Sequence, residues 1–479
     1  MGKRRITRSA GNNGDRDATQ ARPREDSDVL NEDLTHELET VPDFDRFAGV
    51  DEVVGELARL AERHPSVAVL RRIGTSRLGE PLLCLTVGDG PAQGVVVGMP
   101  HPNEPIGGLT AMHLARRMCE DAALRRSVGY TWHIVGCIDP DGTRLNEAWF
   151  TGEFTPCRYG RNFYRPAGDE QVEWTFPLAY KDAYFDRVLP ETLAWMRLID
   201  DVRPTFMTSL HNSERGGVFY YVSRPEPALH PALKALPLRY GLPLHLGEPE
   251  HPSVRRLDDA IYLMLNARAL YDYLESIGQK FDGQIAGASS TEYAERHGTF
   301  VTIVELPYWR DDAAGDHSPA GVPYARVVRD TAADLAELAA VLRCTLDAVL
   351  GEVVSNSPFL RASRFFVPLV ADVAESERIR AREPGNDREA TVAEVRSSRD
   401  LVHTYRLRYT GMLLRALEAE IGIGNGTPTI RARHRVLEEI YTAWAAAATA
   451  DTTPEPIPLR DLVAIQYGTI LAGARHAKT

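Results

Sequence analysis

The amino-acid sequence predicts an α/β fold, a mixed and twisted sheet with helices on both faces, followed by an all-α C-terminal domain. Short apolar runs rich in β-branched residues, such as GVVVGM at 94–99, alternate with amphipathic runs such as 50–65 and 107–120. This alternation is typical of a sheet covered by helices. Beyond about residue 350 the strand-like runs end, and three runs with helical periodicity follow at 388–421, 433–449 and 458–475.

The predicted elements of the α/β part follow one another in a regular order. The helix at 50–65 ends at a proline, and the helix at 107–120 opens with two glycines. The predicted strands, which are short and apolar as buried strands are, cover 81–85, 94–99, 130–138, 205–210 and 299–306. A chain of 479 residues can bury more than one core. We therefore expect a disordered tail over 1–28, an α/β domain over 45–350 and a helical domain over 355–479.

Charge and composition argue against several kinds of partner. The formal net charge of −12 and a pI near 5.7 argue against binding to nucleic acid or to an anionic membrane. The sequence contains no apolar run of the roughly 20 residues that a membrane span needs, and no secretory signal. Its five cysteines are scattered and form no Cys-x-x-Cys pair, which favours a reducing compartment. We expect a cytoplasmic protein with no nucleic-acid or membrane partner.

The motif His101-Pro-Asn-Glu104 directly follows the predicted strand at 94–99. Ligands bind beyond the carboxyl ends of strands in an open α/β sheet, so this turn could hold a metal ion. The spacing His-x-x-Glu recurs elsewhere in the chain, however, for example in copies that begin at His211 and His245. His211 also follows a predicted strand, whereas His245 lies in a proline-bracketed loop. We predict a zinc site made by His101, Glu104 and His211, because catalytic zinc commonly has three protein ligands and one open position.

A base for the attacking water is predicted at Glu305, which lies inside a long apolar run just before a proline. Burying a carboxylate in such a strand is costly unless the group is paired or functional. Arginines could bind a substrate carboxylate or polarise a scissile carbonyl. Arg144 and Arg161 are the candidates, and Arg158 and Arg165 are equally eligible on the sequence alone.

Five motifs occur in a fixed order along the chain. They are His101-x-x-Glu104, the Asp-Pro-Asp-Gly turn at 139–142, Gly160-Arg161-Asn162-Phe163, Ser209-Leu-His211 and Thr302-x-x-Glu305. Taken together they resemble the zinc carboxypeptidases related to carboxypeptidase A, and the resemblance covers about residues 50–345. It implies a catalytic domain with one zinc ion per chain, held by His101, Glu104 and His211. It also implies that Glu305 deprotonates the attacking water and returns the proton to the leaving amine.

The same resemblance implies how the substrate would be bound. Arg161, with Asn162 beside it, matches the arginine that grips the C-terminal carboxylate of the substrate. The residue before Arg161 is glycine, where the family usually has asparagine. Arg144 is the candidate for the oxyanion-stabilising arginine. Thr291 falls roughly where the family sets side-chain preference, and Tyr293 lies near the position of the mobile family tyrosine.

These expectations favour one function and leave two alternatives. The leading function is zinc-dependent hydrolysis of a C-terminal peptide bond, or of a related amide, in an intracellular peptide or biosynthetic intermediate with a free carboxylate. An N-acyl amino acid deacylase of the aspartoacylase and desuccinylase type is the second enzyme reading. A non-catalytic scaffold that binds a partner through its helical domain is the third. The C-terminal helices could cover the rim of the active site or build an oligomer.

Overall fold

The computed structural model describes residues 30–278, 286–451 and 454–478. The predicted disordered tail at 1–28 therefore lies outside the described residues. The described helices are α1 (Glu32–Glu39), α2 (Val50–Arg63), α3 (Ile106–Glu120), α4 (Ala122–Val128), α5 (Pro140–Arg144), α6 (Pro156–Asn162), α7 (Pro190–Val202), α8 (His230–Arg239), α9 (Ala267–Ser276), α10 (Ser290–Ala294), α11 (Tyr324–Val349), α12 (Pro358–Arg380), α13 (Val392–Gly422), α14 (Pro428–Asp451) and α15 (Leu459–His476). None of these described helices is long and apolar enough to cross a membrane.

Each of the five predicted strands overlaps a strand of the structure. The described strands are β1 (Ala68–Thr75), β2 (Pro81–Val87), β3 (Ala92–Val97), β4 (Tyr130–Val135), β5 (Leu178–Tyr180), β6 (Ala183–Phe185), β7 (Phe206–Ser209), β8 (His211–Glu214), β9 (Phe219–Val222), β10 (Arg256–Asp258), β11 (Ile261–Leu263), β12 (Phe300–Pro307), β13 (Trp309–Arg310), β14 (Pro319–Pro323), β15 (Glu389–Thr391) and β16 (Glu455–Pro456). The predicted strands correspond to β2, β3, β4, β7 and β12.

One mixed sheet of ten strands organises the fold. Its order is β1-β2-β4-β3-β7-β12-β9-β11-β10, and β8 pairs with β12 beside this path. The central strands β4, β3, β7 and β12 run parallel, whereas β2 is antiparallel to both of its neighbours and β9 is antiparallel to β12. Parallel strands end at the same edge of a sheet, so the segments that follow β3, β7 and β12 meet there.

Alternate residues of the central strands face two separate cores. In β3, Val96 packs in the larger core with α2, α3 and α15, whereas Val95 and Val97 pack in the smaller core with α7. Successive side chains of a strand point to opposite faces, so both faces of this sheet need covering helices. The predicted fold, a mixed sheet with helices on both faces and a helical C-terminal region, is confirmed.

The C-terminal helices occupy two different places. Helices α11 to α14 pack against one another as an all-α unit. Helix α15 lies instead against α1, α3, α8 and the sheet strand β12. Every residue from 462 to 474 of α15 is buried, as expected of a helix that is apolar on all sides. The helices α11 to α14 are therefore inserted before the last helix that covers the sheet, and the predicted domain limits stay predictions.

Candidate metal centre

The turn after β3 and the start of β8 bring His101, Glu104 and His211 together at the carboxyl edge of the sheet. β3 and β7 pair in parallel, so the segments after both strands leave the sheet at this edge. β8 begins at His211, which lies opposite Glu305 of β12 in parallel register. The three predicted ligands and the predicted base are buried, with 5%, 2%, 4% and 8% of their surfaces exposed, in the order His101, Glu104, His211 and Glu305.

Two residues beside the ligands have left-handed backbone conformations. Met99, two residues before His101, has a φ of 51°, and Glu214, three residues after His211, has a φ of 73°. Such conformations cost about 1–3 kcal/mol in residues other than glycine and concentrate at functional sites. Glu214 is held in place by Arg408, whose guanidinium lies 3.0 Å from its carboxylate.

The ligand atoms of the three side chains converge on one point. Nδ1 of His101 lies 3.1 Å from Oε1 of Glu104, and Nδ1 of His211 lies 2.9 Å from Oε2. The two Nδ1 atoms are 3.1 Å apart. Ligands about 2.1 Å from a tetrahedral zinc ion are separated by about 3.4 Å, and two imidazole nitrogens with one carboxylate form a donor set of catalytic zinc. Two facing imidazole nitrogens and a shared carboxylate thus fit a single zinc ion.

The charges of these ligands depend on one another. Burial raises the pKa of Glu104, but His101 and His211 more than offset this effect and hold the pKa well below its usual range. Burial, reinforced by the nearby Arg165, lowers the pKa of His101 to about 3. Burial also opposes protonation of His211, but Glu104 outweighs it and raises that pKa. At neutral pH the site presents an anionic carboxylate and a neutral His101 imidazole, the forms in which these groups bind metal ions.

A buried chain of hydrogen bonds from α15 supports His211. Nε2 of Gln466 donates to the carbonyl oxygen of His211 at 2.9 Å, and Oε1 accepts from the hydroxyl of Thr110 at 2.7 Å. On the other side of the imidazole, Oγ of Ser209 lies 3.0 Å from Nε2 of His211. A hydrogen bond to the second nitrogen of a ligating histidine fixes the orientation of the ring. His211 is therefore held through both its backbone and its ring.

Glu305 faces the same cavity as the three ligands. Burial raises its pKa well above the usual range, and the carboxyl groups of Glu250 and Glu104 raise it further. Within the described part of the chain, no hydrogen bond to another residue occupies its carboxyl group. Its carboxyl group is therefore available to exchange a proton with a molecule in the cavity.

The cavity in front of the ligands has a volume of about 820 Å³. The sheet strands form its floor, and the segment 245–254 forms one side. The inserted helices α12 and α13 form another side, through Phe365, Phe366, Leu369, Val373, Leu401, Tyr405, Arg408 and Tyr409. The helices that the sequence placed in a separate domain thus contribute a wall of the cavity that contains the metal ligands.

The structure turns Arg161 away from this cavity, which corrects the expectation that it binds the substrate. Its guanidinium pairs with Glu418 of α13 and Glu438 of α14. Helices α6 and α13 approach each other closely beside it, since a Cβ atom on Gly160 would lie 2.7 Å from Cβ of Leu407. The glycine before Arg161 is required by this crossing, and the crossing directs Arg161 towards the inserted helices.

Arg144 and Asn162 are also placed outside the cavity lining. Arg144 pairs with Asp51 at 2.7 Å and with Glu80 at 2.8 Å. The side-chain amide of Asn162 donates to the carbonyl oxygen of Arg158 at 2.9 Å. The structure therefore does not place Arg144 to stabilise an oxyanion or Asn162 to bind a substrate, because both side chains are engaged elsewhere.

Thr291 and Tyr293 are likewise absent from the cavity lining in the described residues. Thr291 is 1% exposed, and its hydroxyl has no hydrogen-bond partner among the described residues. The hydroxyl of Tyr293 donates to Asp200 at 2.6 Å. Ser289 is the member of this segment that lines the cavity. Both residues are thus packed in the protein, and the structure does not place them to contact a substrate.

Arg165 is the arginine that reaches the metal ligands. Its guanidinium lies 3.1 Å from Oε1 of Glu104, and its Nε donates to Gln171 at 3.2 Å. The sequence left Arg165 and Arg158 equally eligible, and no local pattern separates them. Other charged residues of the lining, among them Glu173 and Arg408, belong to no recognisable motif, and the sequence alone does not predict them.

The buried His-Glu-His set with a carboxyl group in front of it defines the site of a zinc-dependent hydrolase. A family model for zinc carboxypeptidases matches residues 53–301. The chain belongs to the zinc carboxypeptidase family, whose members use zinc. No curated protein sequence is significantly similar to the chain.

Several solved structures resemble this one at low sequence identity. The carboxypeptidase A from Helicoverpa armigera is 14% identical, with a TM-score of 0.38, over 73% of this chain and 78% of that chain. A metallo-carboxypeptidase from Burkholderia cenocepacia is 15% identical, with a TM-score of 0.33, over 58% and 62%. The bovine thrombin-activatable fibrinolysis inhibitor, in complex with tick carboxypeptidase inhibitor, is 14% identical, with a TM-score of 0.35, over 56% and 87%. The family assignment rests on the sequence match over residues 53–301.

Proposed function

We propose that this protein releases the terminal residue from a small peptide, or cleaves a related small amide, whose leaving part carries a free carboxylate. The observation that carries this proposal is the single cavity into which His101, Glu104, His211 and Glu305 all face. This set of side chains supplies a metal site and a base within one walled space, a combination that can hydrolyse an unactivated amide.

The protein's own residues would act as follows. When bound by His101, Glu104 and His211, zinc supplies Lewis acidity to the scissile carbonyl and to the attacking water. In its ionised form, Glu305 accepts a proton from that water and delivers it to the leaving nitrogen. Its position opposite His211 in the sheet keeps this carboxyl group beside the ligands. Positioned proton transfer of this kind contributes about 10²–10⁴-fold to a rate.

Arg165 is proposed to bind the substrate carboxylate in place of Arg161. An arginine has five N–H donors in a fixed fork that matches a carboxylate. Arg165 lines the cavity and makes hydrogen bonds to two described residues, Glu104 and Gln171. Donors therefore remain for a ligand, whereas the guanidinium of Arg161 is occupied by two carboxylates outside the cavity.

The size of the cavity indicates that the substrate is small. A volume of about 820 Å³ lies in the range of small-molecule sites, which hold most of their ligand inside the protein. Helices α12 and α13 form one side of the cavity, which limits the room for a long peptide. The same observation favours N-acyl amino acid deacylation as the second candidate function, because an acyl group and one amino acid would fit the same space.

Product analysis distinguishes these two reactions. Zinc-loaded protein is incubated with dipeptides, tripeptides and N-acyl amino acids, and the products are separated by chromatography. Release of a free terminal residue from the peptides supports the proposal. Turnover of N-acyl amino acids alone supports the deacylase. No turnover of either class by protein with a full zinc content contradicts both, and less than about half a zinc per chain favours a non-catalytic scaffold.

The proposed role of Arg165 has a matched control within the same segment. Arg165→Ala should raise KM for carboxylate-ended substrates by about 10- to 100-fold. This change corresponds to the free energy of one charge-assisted hydrogen bond. Arg161→Ala should leave that KM unchanged, because its ion pairs lie outside the cavity. The opposite result, with KM rising only in Arg161→Ala, would return the role to Arg161.

The cytoplasmic location and the oligomer stay predictions. The location is supported by the five cysteines, all of which are free thiols in the structure.

A further inference from the structure

The metal cavity contains more carboxyl groups than its own cations neutralise. Each arginine of the lining has a carboxylate partner, in the pairs Arg165–Glu104, Arg215–Asp400, Arg256–Asp259, Arg380–Glu248, Arg388–Glu394 and Arg408–Glu214. Four other carboxyl groups of the lining have no basic partner within the described part of the chain, namely the proposed base Glu305, the exposed Glu383, and Glu173 and Glu250. Glu173 and Glu250 accept hydrogen bonds from the hydroxyls of Ser290 and Tyr221 instead.

Glu173 is the more deeply buried of these two groups. It lies in a single helical turn at Val172–Trp174 and is 3% exposed. Oε1 accepts from Oγ of Ser290 at 2.5 Å, whereas Oε2 is buried and has no hydrogen-bond partner among the described residues. The residue nevertheless lines the cavity that contains the metal ligands. One carboxylate oxygen is thus shielded from bulk solvent and left without a protein partner.

A buried carboxylate without a counter-charge is unfavourable, because its loss of hydration is not compensated. Burial accordingly raises the pKa of Glu173 to about 7, although the nearby His211 opposes this rise. A positively charged group that enters the cavity would supply both the missing counter-charge and a donor for Oε2. Ammonium and guanidinium groups combine these two properties.

We propose that Glu173 binds an ammonium or guanidinium group of the substrate through the unpartnered Oε2 atom. The substrate is then a small amide that carries a positive charge close to the scissile bond, in addition to its carboxylate. Glu250, which lines the same cavity and also lacks a basic partner, adds negative potential that favours the same charge. That the bound molecule is a substrate which is hydrolysed rests on the proposed function. The binding of a cation by Glu173 does not rest on it.

Calorimetric binding of matched ligands to the zinc-loaded protein tests this proposal without catalysis. One pair is L-lysine and L-norleucine, which differ by the side-chain ammonium. The other pair is glycyl-glycine and its N-acetyl derivative, which differ by the α-ammonium. The cationic member of at least one pair should bind at least about 30-fold more tightly, as expected of a buried charge pair. The pair that shows the preference identifies which ammonium group Glu173 receives.

Two variants assign the preference to a residue. Glu173→Gln keeps the size of the side chain and its hydrogen bond with Ser290 but removes the charge, so the preference should disappear. Glu383→Gln is the matched control, because Glu383 lines the cavity without contacting the metal ligands and is exposed. This variant should keep the preference of the wild-type protein.

Equal binding of both members in both pairs by the wild-type protein overturns the proposal, whether or not Glu173→Gln folds. An undiminished preference in folded Glu173→Gln also overturns it. A clear preference in a protein that hydrolyses no amide would overturn the proposed function and leave the cation site standing. Efficient hydrolysis of neutral and cationic substrates alike would overturn the cation site and leave the proposed function standing.

Discussion

Substituting Gly411 by alanine would test whether the inserted helices dock on the catalytic part as the structure shows. Gly411 lies on α13 at its crossing with α6. A Cβ atom there would lie 2.0 Å from the carbonyl oxygen of Gly160, 2.9 Å from its carbonyl carbon and 3.2 Å from Cα of Arg161. All three are backbone atoms, so no side-chain rotation can relieve the contact. Carbon and oxygen atoms normally approach to about 3.3 Å, so the helices would have to separate by roughly 1.3 Å.

The size of the expected destabilisation follows from the contacts that this separation would disturb. Overpacking of a well-packed contact costs about 1–3 kcal/mol. The separation would also stretch the hydrogen bonds from Arg415 of α13 to the carbonyl oxygens of Leu145 and Asn162, which are now 2.9 Å and 2.7 Å long. Hydrogen bonds with a charged partner contribute about 1.5–3 kcal/mol each. Alanine regains about 1 kcal/mol of helix propensity. We therefore expect Gly411→Ala to destabilise the protein by about 2–4 kcal/mol.

Gly422 provides a control on the same helix. A Cβ atom on Gly422 would meet no atom within 4 Å, and its φ is not positive. Gly422→Ala should therefore leave stability unchanged or raise it by up to about 1 kcal/mol. The assay is urea denaturation of both variants and the wild-type protein, followed by tryptophan fluorescence. Equal midpoints for Gly411→Ala and Gly422→Ala would show that α13 does not cross α6 at this point.

Two further predictions concern ionisable groups. Glu305→Gln should retain zinc by metal analysis and lose at least about 10²-fold of the hydrolytic rate; retained activity would remove Glu305 from the role of base. Burial raises the pKa of Asp139 to about 7, although Arg77 opposes it, against about 3.9 in the unfolded chain. The folded protein therefore binds more protons between these values, and its stability falls as the pH rises through this window. Asp139→Asn should gain urea stability relative to wild type between pH 5 and pH 8, and a constant difference would contradict this assignment.

The metal ligands could be predicted from the sequence because their positions depend on local pattern alone. His101 and His211 each follow an apolar run, and Glu305 ends one. Parallel strands carry such residues to one edge of the sheet whatever the rest of the chain does. The structure accordingly brings these residues together, with Glu305 directly opposite His211.

The arginines could not be assigned in the same way, because their surroundings come from distant parts of the chain. Arg161 matches a motif, but its environment is decided by Glu418, Glu438 and Gly411 on the inserted helices. No local sequence pattern predicts that these helices dock beside α6. The role proposed for Glu173 rests on an absent partner, which only the folded structure reveals.

Helix α15 is an intermediate case. The sequence predicts this helix by its periodicity, but as part of the helical domain at 355–479. The segment LVAIQYGTILAGA at 462–474 is apolar on all sides, which indicates a helix enclosed by protein. That signal was present in the sequence, and it separates α15 from the amphipathic helices α11 to α14.

Helix α13 makes the contacts that determine both the docking of the inserted helices and the orientation of Arg161. This helix crosses α6 at Gly411, turns Arg161 outward through Glu418, holds the end of α6 through Arg415, and pairs with Glu214 beside the metal ligands through Arg408. Each contact is made by a different turn of one helix, so the four cannot vary independently. The same helix therefore forms one side of the cavity and pairs with Arg161 outside it. The inserted helices therefore help to shape the part of the cavity that would bind the substrate, whereas the sheet and its loops supply all three metal ligands.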